Sequence, residues 1–129
     1  MTALVTGASG HLGGTLVRAL LAQGRSVRAL VHSSAGALEG LEGDLELVQG
    51  DVLDRASIDR ACDGVETVFH LAAIISIVGD PDGRVRAVNV DGARNVAEAA
   101  LAAGVGRMVH VSSVHAFGIN SGAAQITEE

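Results

Sequence analysis

The segment "MTALVTGASGHLGG", residues 1–14, holds four glycines, and its apolar run stops at the first of them. "TALVT" (2–6) has the length and composition of a buried strand, and "HLGGTLVRALLAQG" (11–24) places Leu12, Leu16, Leu20 and Leu21 on one helical face before stopping at Gly24. Between strand and helix, Gly7, Gly10 and Gly13 recur at every third position. A strand that passes through such a turn directly into a helix is built to hold phosphate. The first glycine permits the tight turn, the second lets a pyrophosphate lie against the backbone, and the third lets helix and strand pack closely. Free N–H groups at the helix start, with the positive end of its dipole, attract the anion. The same residues also read as a glycine-rich turn with no ligand. A Walker-type phosphate loop is excluded, because no Gly-Lys-Ser/Thr follows the glycines.

Strand then helix opens a βαβ unit, and the alternation continues along the chain. "SVRALV" (26–31), "LELVQGD" (45–51), "ETVFHLAA" (66–73) and "RMVHVSS" (107–113) read as the second to fifth strands. They are separated by a loop with one helical turn over 32–44 and a short helix over 54–64 with Asp54 as its N-cap. After the turn "GDPDG" (79–83), a long helix runs over 84–104, and residues 114–129 show no defensible period. Parallel neighbours need crossovers, and right-handed crossovers cover both faces of a sheet. The expected fold is therefore α/β: a doubly wound parallel sheet of about five strands, Rossmann-like, forming one dinucleotide-binding domain over 1–129.

Composition agrees with this architecture. Apolar residues make up 48% of 129, with two Phe and neither Trp nor Tyr, so the core is built from Ala, Val, Leu and Ile. That mixture suits helices packed on a parallel sheet. A net charge of −6 without charge blocks offers no footprint for nucleic acid or an anionic membrane. The lone Cys62 forms no internal disulfide and reads as a small core residue. No apolar stretch is long enough to span a bilayer and no leader pattern precedes the first strand, so the expectation is a soluble, cytoplasmic protein. No metal ligands are assigned.

In an open parallel sheet the ligand sits beyond the carboxyl ends of the strands. His32, Asp51, Ala72, Ala73, Ser112 and Ser113 all fall at such ends, beside Gly7. Asp51 can accept a hydrogen bond from an adenine amino group, or serve as a loop carboxylate. Small Ala72 and Ala73 leave room for a flat or sugar-like group. On the long helix Val85, Asn89, Gly92 and Val96 share a stripe, which turns an amide toward the sheet. A buried amide must find partners, either on a neighbouring strand or on a ligand.

Together, "TGASGHLGG", "GDVLD", "VFHLAA", "VNVDGARNV" and "VHVSSVHAFG" resemble the successive N-terminal motifs of the extended short-chain dehydrogenases, the NAD(P)-dependent epimerase/dehydratase family. "HLAAIIS" leans toward its dihydroflavonol-4-reductase-like branch. The resemblance implies that Thr6 to Gly13, including Ser9, His11 and Leu12, hold the diphosphate. Asp51 and Val52 match the adenine pocket, His70 to Ala73 with Leu71 the segment beside the cofactor ribose, and Asn89 the family's helix asparagine. Ser113, with Ser112 as the neighbouring alternative, matches the catalytic serine that hydrogen-bonds the substrate oxygen. The substrate implied is a small molecule carrying a hydroxyl or carbonyl group.

The departures from the family matter equally. Its proton donor and helper form Tyr-x-x-x-Lys, yet all nine basic residues here are Arg and no Tyr occurs. Phe117-Gly118 stands where the family has Tyr-Gly, and His115 is the remaining candidate proton source. The chain therefore reads as an N-terminal piece of a longer enzyme, without its substrate-binding part. A dinucleotide-sensing module without turnover is the alternative. An uncovered edge at the fifth strand predicts association, a homo-oligomer included. As cofactor, NADP is expected slightly ahead of NAD, because "VRALVHSS" offers no acid after the second strand and places His32, Ser33 and Ser34 there instead. Arg28 is the only fixed positive charge near that end.

Overall fold

The computed structural model describes residues 1–116. Five parallel strands lie in the order β3-β2-β1-β4-β5: β1 (Thr2–Thr6), β2 (Ser26–Val31), β3 (Leu45–Gln49), β4 (Thr67–His70) and β5 (Arg107–His110). Leu4 pairs with Arg28 on one side and Val68 on the other, and Val68 pairs in turn with Met108. Helix α1 (His11–Ala22) covers one face of the sheet; α2 (Arg55–Cys62) and α4 (Ala93–Ala102) cover the other. The doubly wound architecture is the expected one.

Central β1 is buried from Ala3 to Thr6, and its Ala3, Leu4 and Val5 are apolar because both of its faces are covered. Leu4, with Leu30 and Val68, packs on Ile58, Ala61, Cys62, Val96 and Ala99 of α2 and α4. Ala3 and Val5, with Val27 and Ala29, pack on Val17 and Leu20 of α1 and on Leu38. Cys62 is fully buried among these groups, and burial pushes its thiol pKa up, as suits an inert core residue. Asp54 caps α2 by accepting from the Ala56 N–H. Among the described residues no helix is long and apolar enough to cross a membrane.

Three local expectations need correction. The buried stripe of α1 is Gly13, Gly14, Val17 and Leu20, with Leu16 and Leu21 partly buried and Leu12 exposed. Gly13 against Gly7 and Gly14 against Ala37 set the rotation of the helix, and that rotation carries Leu12 outward. The strands also stop short of the predicted ends, at Gln49, His70 and His110. After His70 the Thr6 hydroxyl accepts from the N–H groups of both Leu71 and Ala72, which turns the chain out of the ladder. Likewise, the Asp51 carbonyl accepts from the Asp54 N–H and bends the chain after β3.

The long helix is not uniform. It comprises α3 (Arg84–Arg86), a π-helical segment (Ala87–Gly92) and α4. A π turn is wider than an α turn and shifts the phase of every residue beyond it. Gly92, Val96 and Ala99 are buried toward the sheet, Gly92 and Val96 as the predicted stripe has them, while Val85 and Val88 are each half-buried, Val88 against the same core. Gly92 is required at its position, since a Cβ there would lie 2.7 Å from Val52 Cγ2.

Candidate functional site

A cleft of about 340 Å³ opens at the carboxyl ends of β1, β2 and β4. Its floor is the glycine turn, with Gly7, Ser9 and Gly10; one wall carries His32, Asp51 and Val52, and the other carries Leu71, Ala72, Ala73 and Ile74. The size falls within the usual range for a small-molecule site, about 300–1,000 Å³.

The three glycines of the turn serve different ends. Gly7 has φ +67°, and a Cβ on it would lie 2.7 Å from the Ala72 nitrogen. It is therefore required both by backbone conformation and by the close approach of the chain after β4. A Cβ on Gly13 would lie 2.1 Å from the Gly7 carbonyl oxygen, so this glycine sets the distance between turn and helix. Gly10 differs from both. Its added Cβ would meet only the Gly7 oxygen, at 3.2 Å, and would otherwise stand in open space at the cleft floor. Gly10 also precedes α1 without any side-chain cap, leaving the start of that helix to backbone groups alone.

Thr6 and His70 brace the turn from beneath. The Thr6 hydroxyl accepts from Leu71 and Ala72, each at 3.2 Å, so its own proton goes to His70 Nδ1 at 2.7 Å. His70 therefore carries its ring proton on Nε2, which has no partner among the described residues. The ring is 1% exposed and stacks on His110 with centroids 5.3 Å apart. Burial, with a smaller contribution from His110, pushes its pKa down to about 4.

At the opposite wall, His32 Nε2 lies 3.2 Å from Asp51 Oδ2, while Asp51 Oδ1 accepts from the Leu53 N–H. Residues at the ends of two adjacent strands thus form one polar pair. Arg28 takes no part, because its guanidinium reaches Glu46 and the carbonyls of Ala61 and Asp63 on the α2 side of the sheet.

The remaining expected site residues divide in a simple way. Val52 lines the cleft and is buried. His11 and Leu12 lie exposed on the first turn of α1, outside the cleft lining. Ser112 and Ser113 are exposed beyond β5 and likewise outside that lining, although the Ser113 carbonyl accepts from the Ala116 N–H. Phe117 and Gly118 lie outside the described residues. Asn89 has a structural partner in the segment after β4. Its Oδ1 accepts from the Ile74 N–H at 2.8 Å and its Nδ2 donates to the Ile74 carbonyl at 2.9 Å.

Asn89 thereby fastens the segment after β4 against the helix. Asn89→Ala is expected to cost about 1–3 kcal/mol, the penalty for stranding two partly buried backbone groups. Hydrogen exchange at the Ile74 amide reads the effect directly, and unchanged protection there would refute the fastening role.

Ile74, Arg84, Val88, Leu30 and Gly50 also line the cleft and were not expected there. Arg84 is the consequential one, as the only arginine in the lining. Its place follows from the Asn89–Ile74 clasp and from Asp80, whose carboxylate accepts from the N–H groups of Val85 and Arg86 and so holds the start of α3. The signal available in the sequence was its position five residues before Asn89.

Comparison with known proteins agrees with this geometry. The sequence profile of the 3-beta hydroxysteroid dehydrogenase/isomerase family matches residues 4–129. A protein of Methylococcus capsulatus named "Sterol demethylase protein B" is 50% identical over 122 residues, covering 93% of this chain and 37% of its own length. A "3 beta-hydroxysteroid dehydrogenase/Delta 5-->4-isomerase" of Mycobacterium tuberculosis is 40% identical over 116 residues, covering 85% of this chain and 31% of its own. The crystal structure of a short-chain dehydrogenase/reductase superfamily protein from Agrobacterium tumefaciens with bound NAD superposes with a TM-score of 0.77 at 39% identity, covering 88% of this chain and 33% of that one. The chain thus spans about a third of the length of these proteins.

Proposed function

The chain belongs to the 3-beta hydroxysteroid dehydrogenase/isomerase family, and we propose that it is the dinucleotide-binding portion of an NAD(P)-dependent oxidoreductase or epimerase acting on a hydroxyl or carbonyl group. One observation carries the reading: at Gly10 the backbone is bare toward the cleft, at the start of α1, where a side chain would fill the space an anion needs. The wall residues complete a site for the adenosine half. Asp51 and Val52 stand at the adenine and ribose end, and Leu71 to Ala73 provide a small-residue face opposite. The names of the two relatives described above support a sterol-like alcohol or ketone as substrate class.

A bound nicotinamide supplies hydride transfer. The residues of this chain hold the dinucleotide, and Ser113, with Ser112 as the alternative, offers a hydroxyl to the substrate oxygen. NADP is the proposed preference over NAD, supported by the absence of an acid at positions 32–34. Calorimetric titration of both dinucleotides tests the site, and failure of both to bind would refute it.

A second reading is favoured by a separate observation. The chain contains neither Tyr nor Lys, the pair that moves the proton in the family it resembles. By itself it is expected to bind dinucleotide and to show no hydride transfer above background, as a sensing module would. Turnover of a carbonyl substrate by the purified chain, followed at the nicotinamide absorbance, would contradict this and direct attention to His115.

A further inference from the structure

We propose that Arg84 is the fixed-charge contact for the diphosphate, a binding residue contributed by the helix after β4 and not by the glycine turn. The inference rests on the dinucleotide reading of the cleft and deepens it. Arg84 opens α3 and lines the cleft together with Ile74, Val88 and the floor residues Gly7, Ser9 and Gly10. The cleft measures about 340 Å³, so floor and arginine border one small space.

Charge balance calls for such a contact. The floor offers backbone N–H groups and, at the start of α1, a helix dipole equivalent to roughly +0.5 of a charge. A diphosphate that links two nucleosides brings a full negative charge on each phosphate. The opposite wall adds the carboxylate of Asp51, with His32 beside it. Among the described residues Arg84 is the only arginine of the lining, and the chain contains no Lys. Its guanidinium is always charged and presents N–H groups in a planar fork that matches two phosphate oxygens.

The surroundings hold the backbone of Arg84 in place and leave its head available. Asp82 Oδ1 accepts from the Arg84 N–H at 3.1 Å, and the two carboxylate oxygens of Asp80 accept from the Val85 and Arg86 N–H groups at 2.9 and 2.8 Å. Both acids that precede Arg84 in this turn are thus occupied by main-chain amides. Five residues on, the Asn89–Ile74 clasp fastens the same helix to the cleft wall. The exposed Arg84 guanidinium makes no hydrogen bond or ion pair among the described residues, whereas Arg28, Arg55 and Arg94 are each engaged by a carboxylate. An unengaged cation on an anchored backbone meets an anion without first giving up another contact.

Calorimetric titration with adenosine, ADP and NAD, in wild type and in Arg84→Gln at low and moderate salt, tests the assignment. At low salt Arg84→Gln should bind ADP and NAD about tenfold more weakly, the weight of one charge-assisted contact, and adenosine as tightly as wild type does. Added salt should narrow the gap, because it screens the charge that the variant lacks. Arg84→Lys should recover part of the loss, since it restores the charge without the planar fork. The side chain is exposed, so urea midpoints of the variants should equal that of wild type. Unchanged ADP affinity in Arg84→Gln, or an equal loss for adenosine, overturns the assignment while leaving the site intact. Failure of wild type to bind either ADP or NAD instead overturns the dinucleotide reading, and this inference with it.

Discussion

Gly10→Val leaves the fold in place and lowers dinucleotide affinity by at least about 100-fold, the equivalent of roughly 3 kcal/mol. The geometry separates the two outcomes. Around Gly10 an added Cβ has one close neighbour, the Gly7 oxygen at 3.2 Å, and a shift of a few tenths of an ångström there relieves it. The branched methyl groups then occupy the cleft floor, where the pyrophosphate would lie against bare backbone. Gly13→Ala provides the contrast. There the added carbon would stand 2.1 Å from the Gly7 oxygen, and backbone must move to relieve it. That variant should lose more than about 3 kcal/mol of stability, at the upper end of overpacking penalties. Circular dichroism with a urea titration distinguishes them. Gly10→Val with full affinity would remove the phosphate site from consideration, and Gly13→Ala with wild-type stability would contradict the packing described for α1.

Acid should weaken the fold well above the pH at which carboxylates titrate. His70 is buried and neutral, with its pKa lowered to about 4, whereas an unfolded histidine titrates near 6.5. The unfolded chain therefore takes up a proton that the folded chain refuses. The contribution of His70 is complete above pH 6.5 and is lost as pH falls from there toward 4. At about 1.4 kcal/mol per unit the loss approaches ~3 kcal/mol, a large share of the 5–15 kcal/mol typical of a domain. Urea midpoints at pH 7.5, 6, 5 and 4.5 should decline steadily in wild type and much less in His70→Gln, which places a neutral amide in the same space. Equal declines in the two proteins would assign the acid sensitivity to other groups.

Five strands, their order of appearance and the two covered faces could all be read from the sequence, because parallel strands buried on both sides leave uninterrupted apolar runs. The glycine turn was legible for a related reason: residues without side chains mark places where backbone meets backbone, as Gly7 and Gly13 do. What escaped was decided by contacts between distant segments. Periodicity assumes 3.6 residues per turn, so it gave no sign of the π-helical stretch at Ala87–Gly92. Strand ends were overextended because nothing local announces that the Thr6 hydroxyl, far back in the chain, captures the amides of Leu71 and Ala72. The same limitation hid Arg84, brought to the cleft by the Asn89 clasp, and the approach of His32 to Asp51 from the ends of two different strands.

The strand order has a consequence for how the chain is made. Of the five strands the earliest in sequence, β1, is the innermost one, so this sheet grows outward from its middle in both directions. One flank of Thr2–Thr6 is closed once Ser26–Val31 emerges, but the other waits for Thr67–His70. Throughout that interval a strand with the apolar centre Ala3–Val5 presents an open edge, the form in which nascent chains pair with one another. Translation that stalls before residue 67 therefore releases a sticky half-sheet, and synthesis of only a few further residues seals it.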